Sequence, residues 1–229
     1  MTLERASEVE KFDQYAQGYR EAHRASVRAS GEDPEFFAEH KLGCLRRAGV
    51  RRGHRLLDYG CGTGSLTRLL ALHFDVVQGY DPSEQSLLVA REAAPAATFH
   101  TDEGQIPEGL FDVAVLSGVL HHVPVAERPK VLSTVVRKLA PGGRLFVFEH
   151  NPFNPLTRRA VRDCPFDDDA ILLPPGELRN LLRGAGLRPV RQDFVLFFPR
   201  PLARLRPLEP LLRRFPLGAQ TLTIGSRAS

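Results

Sequence analysis

Asp58, Gly60, Gly62 and Gly64 stand at alternate positions just after the apolar pair Leu56-Leu57, and a second acid, Asp81, closes the next apolar run, 75–80. Glycine tolerates positive φ and close backbone approach, so such a loop can turn its N–H groups and the start of the following helix toward an anionic ligand. A carboxylate at the end of the second strand can accept both hydroxyl hydrogens of a ribose. The dinucleotide fingerprint places its third glycine three residues after the second, whereas Gly64 follows Gly62 by two, so a dinucleotide is disfavoured. A second set of reactive side chains, His121, His122, Glu149 and His150, falls at the ends of the apolar runs 111–117 and 144–149, where a proton could be taken from an acceptor.

The elements that must position these groups follow from periodicity. A strand begins near Arg55, and Leu66, Leu69, Leu70 and Phe74 have helical spacing. Strand 75–80 is followed by a helix opened by Pro82-Ser83 and stopped by Pro95, then by a short strand over 97–101. Run 111–117 is apolar throughout, as a strand buried on both faces should be. The next helix carries Val131, Leu132, Val135, Val136 and Leu139 and closes at Pro141-Gly142-Gly143, with a fifth strand over 144–149. Strand, helix and strand in repetition predict a parallel sheet with helices on both faces and a ligand crevice at the strands' C-terminal ends, where the winding reverses. The glycine loop and the His121-His122 loop should then face one crevice.

The flanks are less regular. Phe12, Tyr15, Ala16 and Tyr19 mark one face of a helix within 9–24, and Asp33-Pro34 reads as cap and first turn of a second helix reaching about Ala48. Asn154-Pro155 opens a short helix inside an insertion running to about Leu173. A helix carrying Leu178, Leu181, Leu182 and Ala185 precedes strands expected at 190–198 and 220–224. Between these strands, residues 196–216 hold five arginines against Glu209, a net of +4, interleaved with Phe197, Phe198, Leu202, Leu205, Leu208, Leu211, Leu212 and Phe215. That is the composition of an interfacial element, and Pro201, Pro207 and Pro210 break it into a looped flap or broken helix.

Asp58-x-Gly60-x-Gly62-x-Gly64 with Asp81 resembles motif I and the second-strand acid of class I S-adenosylmethionine-dependent methyltransferases. The resemblance is close over 56–187, moderate in the final hairpin and loose over the first fifty residues. It implies an α/β doubly wound, Rossmann-like seven-stranded sheet, mostly parallel with a C-terminal antiparallel hairpin, under an N-terminal helical lid. It also implies a single methyltransferase domain over 1–229, with a lid at 1–52, a cofactor core at 53–150 and an acceptor-side insertion and hairpin at 151–229. S-adenosyl-L-methionine is the implied cofactor and S-adenosyl-L-homocysteine the product. The cofactor set implied is Tyr15 and Tyr19 on the lid, Asp58, Gly60, the backbone at Cys61, Gly62, Gly64, Asp81, Pro82 and Ser117. Asp102, with Glu103 as the alternate, is expected to hold the adenine amine. His121, His122, His150 and Glu149 are the candidates for catalysis, the histidine pair first, with a cofactor-contacting or structural role for the pair as the competing reading.

The other function classes fare worse. No run of eighteen apolar residues and no basic-then-apolar N-terminus is present, so a cytoplasmic protein is expected, with peripheral membrane contact through 196–216. Cys44, Cys61 and Cys164 suit neither a zinc site nor a disulfide framework and read as free thiols. No metal is expected, because the His pair lacks a companion ligand at suitable spacing and Asp167-Asp168-Asp169 reads as a solvated or capping run. No basic ribbon with interleaved aromatics signals nucleic acid. The acceptor is expected to be a small or lipid-linked molecule, and the chain a monomer or homodimer. A non-catalytic partner retaining the fold is the alternative, and a nicotinamide-dependent reductase a weaker one.

Overall fold

The computed structural model describes residues 10–16, 18–165 and 167–229. Seven strands, β1 (Arg55–Tyr59), β2 (Val76–Tyr80), β3 (Thr98–His100), β4 (Phe111–Ser117), β5 (Leu139–His150), β6 (Arg188–Val195) and β7 (Gln220–Ser226), form one sheet in the order β3-β2-β1-β4-β5-β7-β6. The first five are parallel, and β7 pairs antiparallel with both β5 and β6. The alternation of each strand divides the core between two faces. Leu57, Ala114, Leu116, Leu145 and Val147 pack with Leu132, Val135, Leu178 and Leu182 on one side. Leu56, Val113, Val115, Phe146 and Phe148 pack with Leu45, Leu66, Leu69 and Leu70 on the other.

The helices that cover these faces are α3 (Pro34–Arg47), α4 (Ser65–His73), α5 (Glu84–Ala93), α6 (Arg128–Lys138), α7 (Pro155–Arg162) and α8 (Pro175–Gly184). They follow the short helical segment α1 over 10–15 and α2 (Tyr19–Val27). Ser83 caps α5 by accepting from the Ser86 N–H, and Asn154 caps α7 by accepting from the N–H groups of Leu156 and Thr157, as the sequence suggested. Among the described residues no helix is long and apolar enough to cross a membrane.

Four local expectations need correction. The N-terminal face does not run through one helix, because Gly18 is the N-cap of α2 and divides it from α1; Val9, the expected start, lies outside the described residues. Asp33 occupies the cap position of α3, but its carboxylate pairs with Arg24 instead of capping. Strand β5 starts at Leu139, opposite Phe111, and the ladder resumes at Val113 opposite Arg144. Pro141-Gly142-Gly143 is thus an irregularity within the strand, with Gly142 at φ 75. Strand β6 ends at Val195 because Leu196 turns left-handed, at φ 64.

Segment 196–216 is broken, as its prolines require: a 3-10 stretch over Arg200–Leu208 passes into α9 (Glu209–Leu212). Its charge is less free than its composition suggests. Arg206 pairs with Glu32 and lies 4.3 Å over the Phe36 ring, while Glu209 accepts from the N–H groups of Phe197 and Phe198. Arg204, Arg213 and Arg214 are exposed, as are Leu202, Leu205, Leu208, Leu211 and Phe215.

Candidate functional site

The order β3-β2-β1-β4 reverses winding between β1 and β4, and a cavity of about 270 Å³ opens at the C-terminal ends of these strands. One wall is the glycine loop. Gly60, Gly62 and Gly64 all have positive φ, at 79, 51 and 76. A Cβ on Gly60 would sit 2.5 Å from Val119 Cγ2, and one on Gly64 2.9 Å from the Ala90 Cβ, so both are required by packing as well as by conformation. Gly62 differs, since a Cβ there would meet nothing within 4 Å. It faces the open cavity.

The loop uses its amides differently from expectation. Gly60 N and Cys61 N both donate to the Tyr80 carbonyl, at 2.7 and 2.9 Å, and Gly62 N donates to Asp81 Oδ2 at 2.8 Å. These donors are occupied by β2 and its acid, so the N-terminus of α4, with Thr63, Ser65 and Leu66 on the cavity wall, is what the loop offers an anion. Asp58 is buried and accepts from Thr67 Oγ1 at 2.7 Å; burial raises its pKa to about 6. Asp81 also accepts from Ser83 N at 3.0 Å, and burial raises it to about 6 as well. It braces the loop, and each of its oxygens retains a further lone pair for a diol.

Pro82, Ser117 and Cys61 line the cavity. The Cys61 thiol is driven well above its usual pKa by burial and the nearby carboxylates, which leaves it inert, and no disulfide joins the three cysteines. Two of the expected cofactor residues are not among those lining the cavity. They are Asp102, which accepts from Gly104 N, and Glu103, which accepts from the hydroxyls of Tyr59 and Tyr80. Gly64 and Tyr15 are likewise not among the residues lining the cavity; the side chain of Tyr19 lies outside what is described.

The opposite wall carries the histidines. His121 Nδ1 lies 2.6 Å from Glu149 Oε2, and the other oxygen of Glu149 accepts from Val119 N and Leu120 N at 3.2 and 2.8 Å. Glu149 is 1% exposed and is not among the residues lining the cavity; its carboxylate holds His121 and the 117–123 loop. Asp167 corrects the reading of its acidic run. It is buried, with Oδ1 3.6 Å from His121 Nε2 and 3.2 Å from His122 Nε2, while Asp168 and Asp169 take Lys11 of α1. Between two carboxylates His121 is raised to about 9 despite its burial. Burial and the charge of His121 lower His122, and bring His150, whose ring lies 4.9 Å from that of His121, down to about 4.

Further groups on this site were not among the expected site residues. Phe12 of α1 sets its ring edge-on to His122 at 5.0 Å, and Asp13 accepts from Ser83 Oγ at 2.5 Å, so the first helix bridges both walls. Lys41 of α3 lines the cavity partly buried, and among the described residues no hydrogen bond or ion pair takes its ammonium. Burial pulls its pKa down to about 8 against the opposing pull of Asp58 and Glu149. Gln220 Oε1 is buried on the same wall without a hydrogen-bond partner among the described residues.

A mixed sheet of this order, with a glycine loop and a strand-end acid at its switch point, defines a class I methyltransferase fold. The chain belongs to the methyltransferase domain family, which it matches over residues 29–192, and is an S-adenosylmethionine-dependent methyltransferase of class I. It is similar to trans-aconitate 2-methyltransferase of Mycobacterium marinum, with 31% identity over 178 residues covering 68% of this chain and 67% of that protein. With the same-named protein of Mycobacterium tuberculosis the identity is 33% over 159 residues, covering 63% and 60%. The chain thus spans about two thirds of the length of these relatives. Its fold resembles a Thermotoga maritima S-adenosylmethionine-dependent methyltransferase, with a TM-score of 0.70, 20% identity and coverage of 96% and 99%. It also resembles the magnesium protoporphyrin IX methyltransferase of Synechocystis solved with bound cofactor, with a TM-score of 0.61, 20% identity and coverage of 90% and 84%. S-adenosylmethionine suits the donor set found here: the open face at Gly62, the α4 N-terminus and the spare lone pairs of Asp81 lie on one wall.

Proposed function

We propose that this chain moves a methyl group to an oxygen of a small anionic acceptor of the polycarboxylate kind, acting as one domain in which α1, α2 and α3 cover the cavity. One observation carries the reading: Lys41 holds its ammonium on the cavity wall with no anionic partner bonded to it among the described residues. A buried cation left in that state is costly unless a ligand pairs with it. The name of the mycobacterial relatives, trans-aconitate 2-methyltransferase, supports the same chemistry.

The cofactor, when bound, supplies an electrophilic methyl on a sulfonium. Asp81 and the α4 N-terminus orient it, and Lys41 with Gln220 hold the acceptor across the cavity, so that alignment provides much of the acceleration. A carboxylate is already deprotonated, so no base is needed. That agrees with His150, which burial brings down to about 4 and so leaves a weak base. The measurement is formation of S-adenosylhomocysteine with trans-aconitate and other polycarboxylates, set against their neutral esters and amides. Turnover with the acids alone is expected. Turnover confined to neutral hydroxyl or amine acceptors would sink the proposal.

A lipid-linked acceptor is favoured by a separate observation, the exposed Leu205, Leu208, Leu211 and Phe215 beside the exposed Arg204, Arg213 and Arg214. On this reading the 196–216 segment docks on an anionic bilayer, each arginine contributing about 1 kcal/mol. Cosedimentation with anionic vesicles is expected to fall when Arg213 and Arg214 are changed to Glu, and to fall with added salt. Equal sedimentation with neutral and anionic vesicles, or none with either, counts against membrane docking.

A further inference from the structure

The side chains of His121, His122 and Asp167 come from two segments distant in sequence, yet one ligating atom of each lies within 4.8 Å of the others. The edges of this triangle are informative. Asp167 Oδ1 stands 3.2 Å from His122 Nε2 and 3.6 Å from His121 Nε2. Ligands at about 2.0–2.1 Å from a tetrahedral zinc-like ion are separated by about 3.3–3.4 Å, between those two values. The Nε2 of His121 also lies beyond ordinary hydrogen-bond reach of the carboxylate it faces. The three side chains therefore stand at separations that an ion between them can span, and the 3.2 Å contact of His122 with Asp167 holds the carboxylate in place without it.

The surroundings have the form of a metal ligand's support. His121 is fixed through its other nitrogen by Glu149 at 2.6 Å, and Glu149 is itself fixed by the amides of residues 119 and 120. A carboxylate behind a ligating imidazole sets its tautomer, leaves Nε2 as the donor and raises its basicity. Two imidazoles and one carboxylate select a borderline transition metal over magnesium or calcium, which prefer oxygen-only shells.

We propose that His121, His122 and Asp167 bind one divalent transition-metal ion of the zinc class. The ion borders the cavity, because all three residues line it. Its charge there complements Lys41 in holding an anionic acceptor, a consequence that rests on the acceptor reading above; the binding itself does not. The site also ties the insertion after β5 to the β4 loop, so the metal joins two walls of the cavity.

The test uses the untagged chain, stripped with a chelator and titrated with Co(II) in the absence of acceptor and cofactor. The expected result is the intense visible absorption of four-coordinate cobalt, saturating at one ion per chain and displaced by Zn(II). His122→Ala and Asp167→Asn are expected to weaken binding at least about tenfold, and Glu149→Gln by about 10- to 100-fold. Far-UV circular dichroism checks each variant. Should Asp167→Asn fail to fold, His122→Ala, at a site that is not fully buried, carries the comparison. Absence of the cobalt bands in the folded wild-type chain, or equal uptake by wild type and a folded His122→Ala, overturns the proposal. Because the acceptor is left out, failure here leaves the acceptor reading standing, and loss of turnover with polycarboxylates leaves the metal site standing.

Discussion

Asp81→Ala is expected to remove nearly all the stabilisation that S-adenosylmethionine gives the protein. At a hundredfold excess over its dissociation constant the cofactor should stabilise wild type by about 2.7 kcal/mol, a melting shift of roughly 5–10 °C for a chain of this size. Asp81 bears on this twice: its oxygens hold Gly62 N and Ser83 N, which shape the loop, and its remaining lone pairs are what it can offer a ribose diol. The effect should depend on pH in a stated direction. Burial raises Asp81 to about 6, and only the charged form accepts both hydroxyl hydrogens. Cofactor affinity should therefore be full above that value and fall as pH drops through it, by up to about tenfold per unit. Asp81→Asn should bind weakly with a flat profile over the same range. A wild-type thermal shift retained in Asp81→Ala, or no shift with cofactor in a folded wild-type sample, contradicts the assignment.

What the sequence disclosed about this wall, and what it concealed, have a physical cause. Gly60, Gly62 and Gly64 are legible because the demand for positive φ is local, written in residue types at fixed spacing. The alternation of β4 and β5 is legible for the same reason, and it gives the two-faced core directly. Segment ends are harder. The left-handed turn at Leu196 that ends β6 depends on closure of the hairpin by Ala219 N onto the Leu196 carbonyl, a contact without local signature. Strand-end position alone does not disclose the partners of the acids after β3: the hydroxyls of Tyr59 and Tyr80 donate to Glu103, and Gly104 N donates to Asp102.

The opposite wall is assembled almost wholly from long-range contacts. An acid in the run 167–169 looks solvated until the chain after β5 folds back and sets Asp167 against the histidine pair. Asp13 meets Ser83 across seventy residues, and Phe12 meets His122 across more than a hundred. Spacing within one segment cannot encode such pairs. The expectation that one loop carries both histidines to the cavity was sound, because it follows from where β4 ends; their protonation was not legible, because it depends on Glu149 and Asp167. Lys41 was hidden for the opposite reason. On a helix of mixed polarity a lysine looks like an exposed solubilising charge, and only the packing of α3 against α4 turns it to the cavity.

Lys41→Met is expected to make the protein more stable and a poorer enzyme. In the folded state burial brings the ammonium from 10.5 to about 8, so at neutral pH the charged lysine opposes folding. After discounting for partial exposure, removing that charge while keeping the aliphatic stem should stabilise by about 1–3 kcal/mol, read as a melting temperature higher by several degrees. The sign with pH is fixed by linkage: between about 8 and 10.5 the unfolded chain binds a proton at Lys41 that the folded chain does not, so this residue's penalty fades as pH rises through that window. The stability gap between variant and wild type should therefore narrow above pH 8 and close near the upper limit. Activity should move the other way. Loss of a charge-assisted contact to an anionic acceptor is worth about 1.5–3 kcal/mol, so KM for the polycarboxylate should rise by roughly 10- to 100-fold while the cofactor-induced thermal shift is retained. Wild-type KM should itself rise above about pH 8 as the ammonium loses its proton, and Lys41→Arg, which keeps the charge, should hold KM nearer to wild type across that range. A Lys41→Met protein of unchanged KM, with the same pH profile as wild type, would show that the cation holds no part of the acceptor, whatever its effect on stability.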